Sequence, residues 1–145
     1  MPLPEVPDHA VEFDVAAGDW REAVRSAGAA LVRSGVTSEL YTERMVGVVD
    51  EFGAYIVVAP GLALAHARPG PDVHRDGLSV AILAEPVVFG HPHNDPVAVV
   101  VGLASASTDT HVTLVAELAN VFNDPGAIPA LRAARTADEV RAILS

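Results

Sequence analysis

Six histidines and nine arginines, with no lysine and no cysteine, bound the chemistry open to this 145-residue chain. Without a thiol there is no cysteine nucleophile, no iron–sulfur ligation and no cysteine-based zinc site. The side chain whose charge is adjustable near neutral pH is therefore imidazole. Two histidines stand where side chains are presented to ligands. His66 follows the apolar run Leu62-Ala63-Leu64-Ala65 and precedes Arg68-Pro69-Gly70-Pro71, which reads as loop. His111 falls in the first turn of a helix opened by Thr108-Asp109-Thr110, where free N–H groups and the helix dipole favour an anion and disfavour an imidazolium. A neutral imidazole in such a place is a nucleophile towards phosphorus, and the helix end would stabilise a phosphoryl group once attached. His9, His74, His91 and His93 read as structural or solvated residues.

The elements that must position this pair follow from hydropathy periods. Asp19 caps a helix whose apolar face is Trp20, Ala23, Val24, Ala27 and Leu31, ending near Gly35. Ser38 opens a second, with Tyr41, Met45, Val48, Val49 and Phe52 on its apolar face and Gly53 as its stop. A short strand is expected over Val11 to Val15. From Tyr55 the pattern changes to short β-branched runs: Tyr55 to Val58, a turn at Ala59-Pro60-Gly61, then Leu62 to Ala65. Gly77 to Glu85 alternates, and Val97 to Leu103 is almost continuously apolar, as a central strand covered on both faces should be. Between them lies the polar turn His91-Pro92-His93-Asn94-Asp95-Pro96. The helix carrying His111 places Val112, Val115, Leu118, Ala119 and Phe122 on one face. A short helical stretch near Ala130 and a last helix opened by the capping box Thr136 to Glu139 complete the chain.

Half of the residues are hydrophobic and few are aromatic, which is enough for one substantial core and leans towards an α/β fold in a single domain spanning 1–145, with residues 1–10 as an extended N-terminal segment. A formal charge of −10 with no basic cluster argues against nucleic acid and against anionic lipid. No apolar run approaches the roughly 18 to 20 residues that span a bilayer. The N-terminus has neither the basic nor the apolar region of a secretory signal, so the expectation is a soluble cytoplasmic protein.

The segment Tyr55-Ile56-Val57-Val58-Ala59-Pro60-Gly61-Leu62-Ala63-Leu64-Ala65-His66-Ala67-Arg68-Pro69 closely resembles the active-site segment of the mannitol/fructose-type (type 2) IIA components of the sugar phosphotransferase system (PTS), most strongly their ascorbate-type branch. Phe89-Gly90-His91-Pro92-His93-Asn94-Asp95-Pro96-Val97 is similar to that family's strand entry. Val101-Gly102-Leu103-Ala104 with Asp109-Thr110-His111 is similar to its second histidine segment. The three segments occur in the family's order and spacing, and the similarity runs from about Trp20 to the C-terminus.

The resemblance implies a mixed β-sheet with helices packed on both faces, and a phosphoryl group carried on His66. The donor would be the phosphocarrier protein HPr. The acceptor would be a cysteine on a separate IIB protein that works with a IIC membrane permease. His111 would stabilise the phosphoryl group or orient the nucleophile, and no metal or other cofactor is called for. Three positions depart from the family pattern: Ala65 replaces a proline common before the active histidine, Asp50 stands where the mannitol branch has a helpful basic residue, and His93 replaces an acid. Arg68 is a candidate phosphate contact, equally readable as a solvated loop residue, and Gly61, Leu62 and Pro69 are candidates for an apolar docking rim. Two rival readings remain at this point: a IIA-like regulator phosphorylated on His66 without sugar transport, and a metal-dependent hydrolase built on His66, His91, His93 and His111. The apolar helix faces would serve a core or a homodimer equally.

Overall fold

One mixed sheet, in the strand order β1-β4-β5-β3-β2, organises the computed structural model, which describes residues 3–145. Its strands are β1 (Val11–Val15), β2 (Val57–Ala59), β3 (Leu62–Ala65), β4 (Gly77–Val87) and β5 (Val97–Ala104). β1 pairs parallel with β4, and β3 parallel with β5, while β4–β5 and β2–β3 are antiparallel. Helices α1 (Trp20–Arg33) and α2 (Glu39–Phe52) cover one face, and α3 (Thr108–Phe122), α4 (Ala127–Ala133) and α5 (Ala137–Leu144) cover the other. This is the α/β architecture with helices on both faces that the sequence implies.

Every residue of β5 is buried, because a strand covered on both faces has no solvated side to fill with polar residues. The period of two then sorts side chains between the layers. Leu62, Leu64, Val80, Ile82, Val99 and Val101 pack with Leu114, Leu118 and Val140, whereas Ala63, Ala65, Ala81 and Val100 pack with Val24, Leu31, Tyr41 and Met45. His66, two residues beyond Leu64, continues the face that meets α3. Ala67 continues the face that meets α2.

Helix starts follow their capping chemistry. Asp19 accepts from the Glu22 N–H at 2.9 Å, and Thr136 accepts from Glu139 at 3.2 Å. Ser38 occupies the cap position of α2, but its side chain makes no capping bond. Three expectations need correction. Tyr55 and Ile56 belong to a 3-10 turn, Ala54–Ile56, and the strand begins only at Val57. On α3 the residues turned into the core are Leu114 and Leu118, while Val112 is 63% exposed, because the buried stripe is displaced from the one its periodicity suggested. The N-terminal segment is not simply extended: Asp8–Ala10 form a 3-10 turn, and Val6 and Ala10 are buried against the α3–α5 side. Arg141 of α5 fastens it, donating to the Val6 carbonyl at 2.9 Å and pairing with Asp8 at 2.8 Å. Met1 and Pro2 lie outside the described residues. No helix among those described is long and apolar enough to cross a membrane.

Candidate functional site

β3 delivers His66 to the edge of the sheet one residue past its last paired position, Ala65 opposite Gly102. Its ring is partly buried, and Nδ1 lies 2.7 Å from the carbonyl oxygen of Leu64. A carbonyl only accepts, so this contact places the neutral ring's proton on Nδ1 and leaves the lone pair on Nε2. The His111 ring lies beside it, with centroids 5.1 Å apart and planes tilted by 40°. Ser107 opens the helix that carries His111, its hydroxyl accepting from the Thr110 N–H at 3.2 Å. The two histidines singled out from the sequence are thus brought together from elements 45 positions apart in the chain.

Burial, reinforced by the neighbouring His66, holds the His111 pKa below the ordinary imidazole value. His111 is therefore neutral at physiological pH. Its Nδ1 is buried and has no hydrogen-bond partner among the described residues. Tyr55 meets the His66 ring edge-on at 6.0 Å, and Phe52 meets Tyr55 in the same way at 6.5 Å. Phe52 (64% exposed) and Tyr55 (51%) form an apolar rim beside the His66 ring, and Val112 (63%), next to His111 in the chain, is exposed as well. This rim differs from the expected one. Leu62 is buried, and Gly61 precedes β3, so both lie at the far end of the strand from His66, leaving only Pro69 of the three in the loop beside it.

Arg68 is exposed on the loop after His66 and lies close enough for its charge to offset part of the burial that raises the Tyr55 phenol. Among the described residues it makes no ion pair. Asp50, the acid that departs from the mannitol-branch pattern, pairs with Arg21 on the surface of the α1–α2 layer. The His91–Asp95 turn lies elsewhere. The Asp95 carboxylate accepts from the N–H groups of Phe89, Gly90 and His91, and His91 Nδ1 accepts from those of His93 and Asn94. This turn enters β5, whereas His66 and His111 lie beyond its exit. The eight residues of β5 put on the order of 25 Å between them. His91 and His93 cannot join His66 and His111 around one metal, which removes the hydrolase reading.

The sequence reading missed the polar role of α2. Tyr41, expected in the core, is fully buried, but its hydroxyl donates to the Leu103 carbonyl at 2.6 Å and accepts from the Ala67 N–H at 3.0 Å. Burial pushes its pKa up to about 12. Arg44, one turn on, donates through Nε and Nη2 to the two oxygens of Asp72, each at 2.7 Å, and through Nη2 to the Arg68 carbonyl at 2.7 Å. The Arg44 guanidinium holds the Asp72 carboxyl below the usual carboxylate range. A tyrosine in an apolar helix face carries a hydroxyl that needs a partner, which was the available signal; nothing in the sequence marked Arg44.

The family model described as phosphoenolpyruvate-dependent sugar phosphotransferase system, EIIA 2, matches residues 6–145. The chain is 35% identical over 134 residues to the ascorbate-specific PTS system EIIA component of Salmonella typhimurium strain LT2, covering 92% of this chain and 87% of that protein. Among solved structures it superimposes on the mannitol-specific cryptic phosphotransferase enzyme IIA CmtB of Escherichia coli with a TM-score of 0.83 at 26% identity, covering 96% of this chain and 94% of that one. Escherichia coli enzyme IIA mannitol, solved in complex with phosphorylated enzyme IIB mannitol, gives a TM-score of 0.84 at 22% identity over 97% and 96% of the two chains, a likeness of fold.

Proposed function

Because this chain belongs to the EIIA 2 family of the phosphoenolpyruvate-dependent sugar phosphotransferase system, we propose that it carries a phosphoryl group on His66 Nε2. The group comes from the phosphohistidine of HPr and goes to a cysteine of a separate IIB protein serving a IIC permease at the cytoplasmic face. The observation that carries this reading is the 2.7 Å contact from His66 Nδ1 to the Leu64 carbonyl, which leaves Nε2 as the free nucleophile beside a neutral His111.

In the first transfer the Nε2 lone pair attacks phosphorus in line. A P–Nε2 bond forms, the donor's P–N bond breaks, and its electron pair stays on the donor ring. The His66 ring gains positive charge while keeping its Nδ1 proton, so the bond from that N–H to the Leu64 carbonyl becomes charge-assisted and strengthens. His111 acts as a neutral donor. With no partner at buried Nδ1, the tautomer protonated at Nε2 presents an N–H to the phosphoryl oxygens. Arg68, on the rim, supplies positive charge to the same oxygens. In the second transfer the IIB thiolate attacks phosphorus and the P–Nε2 electron pair returns to His66. Neither step requires a metal or a nucleotide; catalysis is positioning and charge stabilisation.

The exposed Phe52, Tyr55 and Val112 suit two partners that dock in turn. The ascorbate-specific names of the relatives support a sugar acid as the cargo. Intact-protein mass spectrometry after incubation with phosphoenolpyruvate, enzyme I and HPr tests the reading. A single acid-labile phosphorylation is expected in the wild type, absent in His66→Ala and slowed in His111→Ala. A wild type that stays unmodified with its cognate HPr would refute the carrier role. Adding IIB separates uptake from regulation, since a regulator would keep the group that a carrier passes on.

A further inference from the structure

The loop that follows His66 is held through its main chain at Ala67, Arg68 and Asp72 and through the Asp72 carboxylate, by groups at the start of α2. β3 stops pairing with β5 at Ala65–Gly102. One residue past His66 the direct ladder is replaced by the Tyr41 hydroxyl, which sits between the Ala67 N–H (3.0 Å) and the Leu103 carbonyl (2.6 Å). A side chain has taken the place of a strand-to-strand hydrogen bond. Next, Arg44 donates to the Arg68 carbonyl while its other contacts grip Asp72, and the Ser38 N–H donates to the Asp72 carbonyl at 2.9 Å. Ser38, Tyr41 and Arg44 recur every three residues along the start of α2, so one helix face meets the loop at three points.

His66 therefore lies between two fixed points, Ala65 on the β5 ladder and Ala67 on the Tyr41 bridge. The contact that fixes its tautomer runs from its own ring to the carbonyl two residues back, so it depends on the backbone torsions of Ala65 and His66. Those torsions are set only if the chain is anchored on both sides. We propose that Tyr41 and Arg44 are positioning residues for phosphoryl transfer: the Tyr41 bridge between Ala67 and Leu103, and the Arg44 fork on Arg68 and Asp72, hold His66 in the torsions that keep its proton on Nδ1 and Nε2 free. Neither residue touches the phosphoryl group; both act through the loop. The proposal rests on the carrier reading for its rate consequence, but its effect on the ring does not.

The test uses the full chain with Tyr41→Phe, which removes one oxygen, and with Arg44→Gln and Arg44→Lys. Ring-nitrogen NMR of the unphosphorylated proteins reads the tautomer, and rapid-mixing transfer from phospho-HPr reads the rate against HPr concentration. In the wild type the His66 ring should be the single Nδ1–H form. In Tyr41→Phe and Arg44→Gln both tautomers should be populated, and the maximal transfer rate should fall ten-fold or more with the half-saturating HPr concentration unchanged, because the docking rim is intact. Arg44→Lys, which keeps the charge but lacks the planar fork, should resemble Arg44→Gln; recovery to wild-type rate would place the effect in charge and overturn the clamp. Variants that keep the single tautomer, or that transfer within two-fold of the wild type, would also overturn it. If Tyr41→Phe does not fold, the partly exposed Arg44 decides through its two variants. A wild type that accepts no phosphoryl group would sink the carrier reading alone, since the tautomer comparison stands without it.

Discussion

Tyr41→Phe has a consequence at alkaline pH whose size and sign follow from burial. The substitution leaves the buried Ala67 N–H and Leu103 carbonyl unpaired. At about 1–2 kcal/mol for each orphaned group, the lower part of the usual range, a loss of roughly 2–4 kcal/mol is expected near pH 9. For a chain of this length that corresponds to about 6–12 °C in Tm. The phenol adds a pH dependence that phenylalanine lacks. Its folded pKa of about 12 lies above the ordinary value of 10.0. A raised pKa means that the folded state retains a proton which the unfolded state releases. The stabilisation is complete below pH 10 and is lost as pH rises from 10 to 12, a total of roughly 3 kcal/mol. The composition makes this window readable: with no lysine and no cysteine, and with arginine charged throughout, Tyr41 and Tyr55 are the side chains that titrate there. Urea unfolding of Tyr55→Phe and of Tyr41→Phe/Tyr55→Phe, measured from pH 9 to 12 with tyrosinate absorbance in parallel, should show a gap of a few kcal/mol that closes towards pH 12. Curves that stay parallel across the window would refute the buried hydrogen-bonded phenol, and with it the bridge between Ala67 and Leu103.

Two further outcomes test other parts of the site. The depressed His111 pKa means that the unfolded chain takes up the proton first on acidification, so its contribution disfavours the folded state increasingly as pH falls from about 6.5 through the lower folded value; urea midpoints between pH 7.5 and 5.5 should fall more steeply in the wild type than in His111→Gln, and equal slopes would contradict a buried neutral imidazole. A Cβ at Gly102, beside the last paired residue of β3, would run into the Ser79 hydroxyl, which donates to the Ala27 carbonyl at 2.8 Å; Gly102→Ala should cost about 1–3 kcal/mol in denaturant unfolding, and Ser79→Ala should be less costly in that background than alone, an interaction whose absence from the double-mutant cycle would refute the clash.

The parts of this molecule legible in its sequence are those whose signals are local. Val97 to Leu103 is apolar without interruption because β5 is covered twice, and Asp19 and Thr136 sit where a first turn needs an acceptor, whereas α3 is capped by Ser107, one residue before the Thr108-Asp109-Thr110 run expected to cap it. His66 and His111 were legible for a related reason: each stands where an element changes, and neither needs a distant partner to be recognised as presented. The register that joins them was not local. It depends on β3 lying parallel to β5, so that the end of one strand and the helix following the other meet at one edge of the sheet.

Helix periodicity failed where the site competes with the core for the same residues. Phe52 and Val112 satisfy the spacing of an apolar stripe, yet both are exposed beside the imidazoles, because hydrophobicity reports only that a side chain avoids water and says nothing of whether the helix's own sheet or another surface covers it. Tyr41 shows the converse. Its ring obeys the stripe and is buried, while its hydroxyl spans a gap in a strand ladder that exists only after β3, β5 and α2 have met. Arg44 is similarly defined by two oxygens of Asp72 and one main-chain carbonyl, 24 to 28 positions further along the chain. The imidazole proposed to carry the phosphoryl group could be singled out from residue type and place, whereas the groups proposed to hold its torsions emerge only from the assembled fold. Substitutions in α2 should therefore alter the reactivity of His66 without touching it.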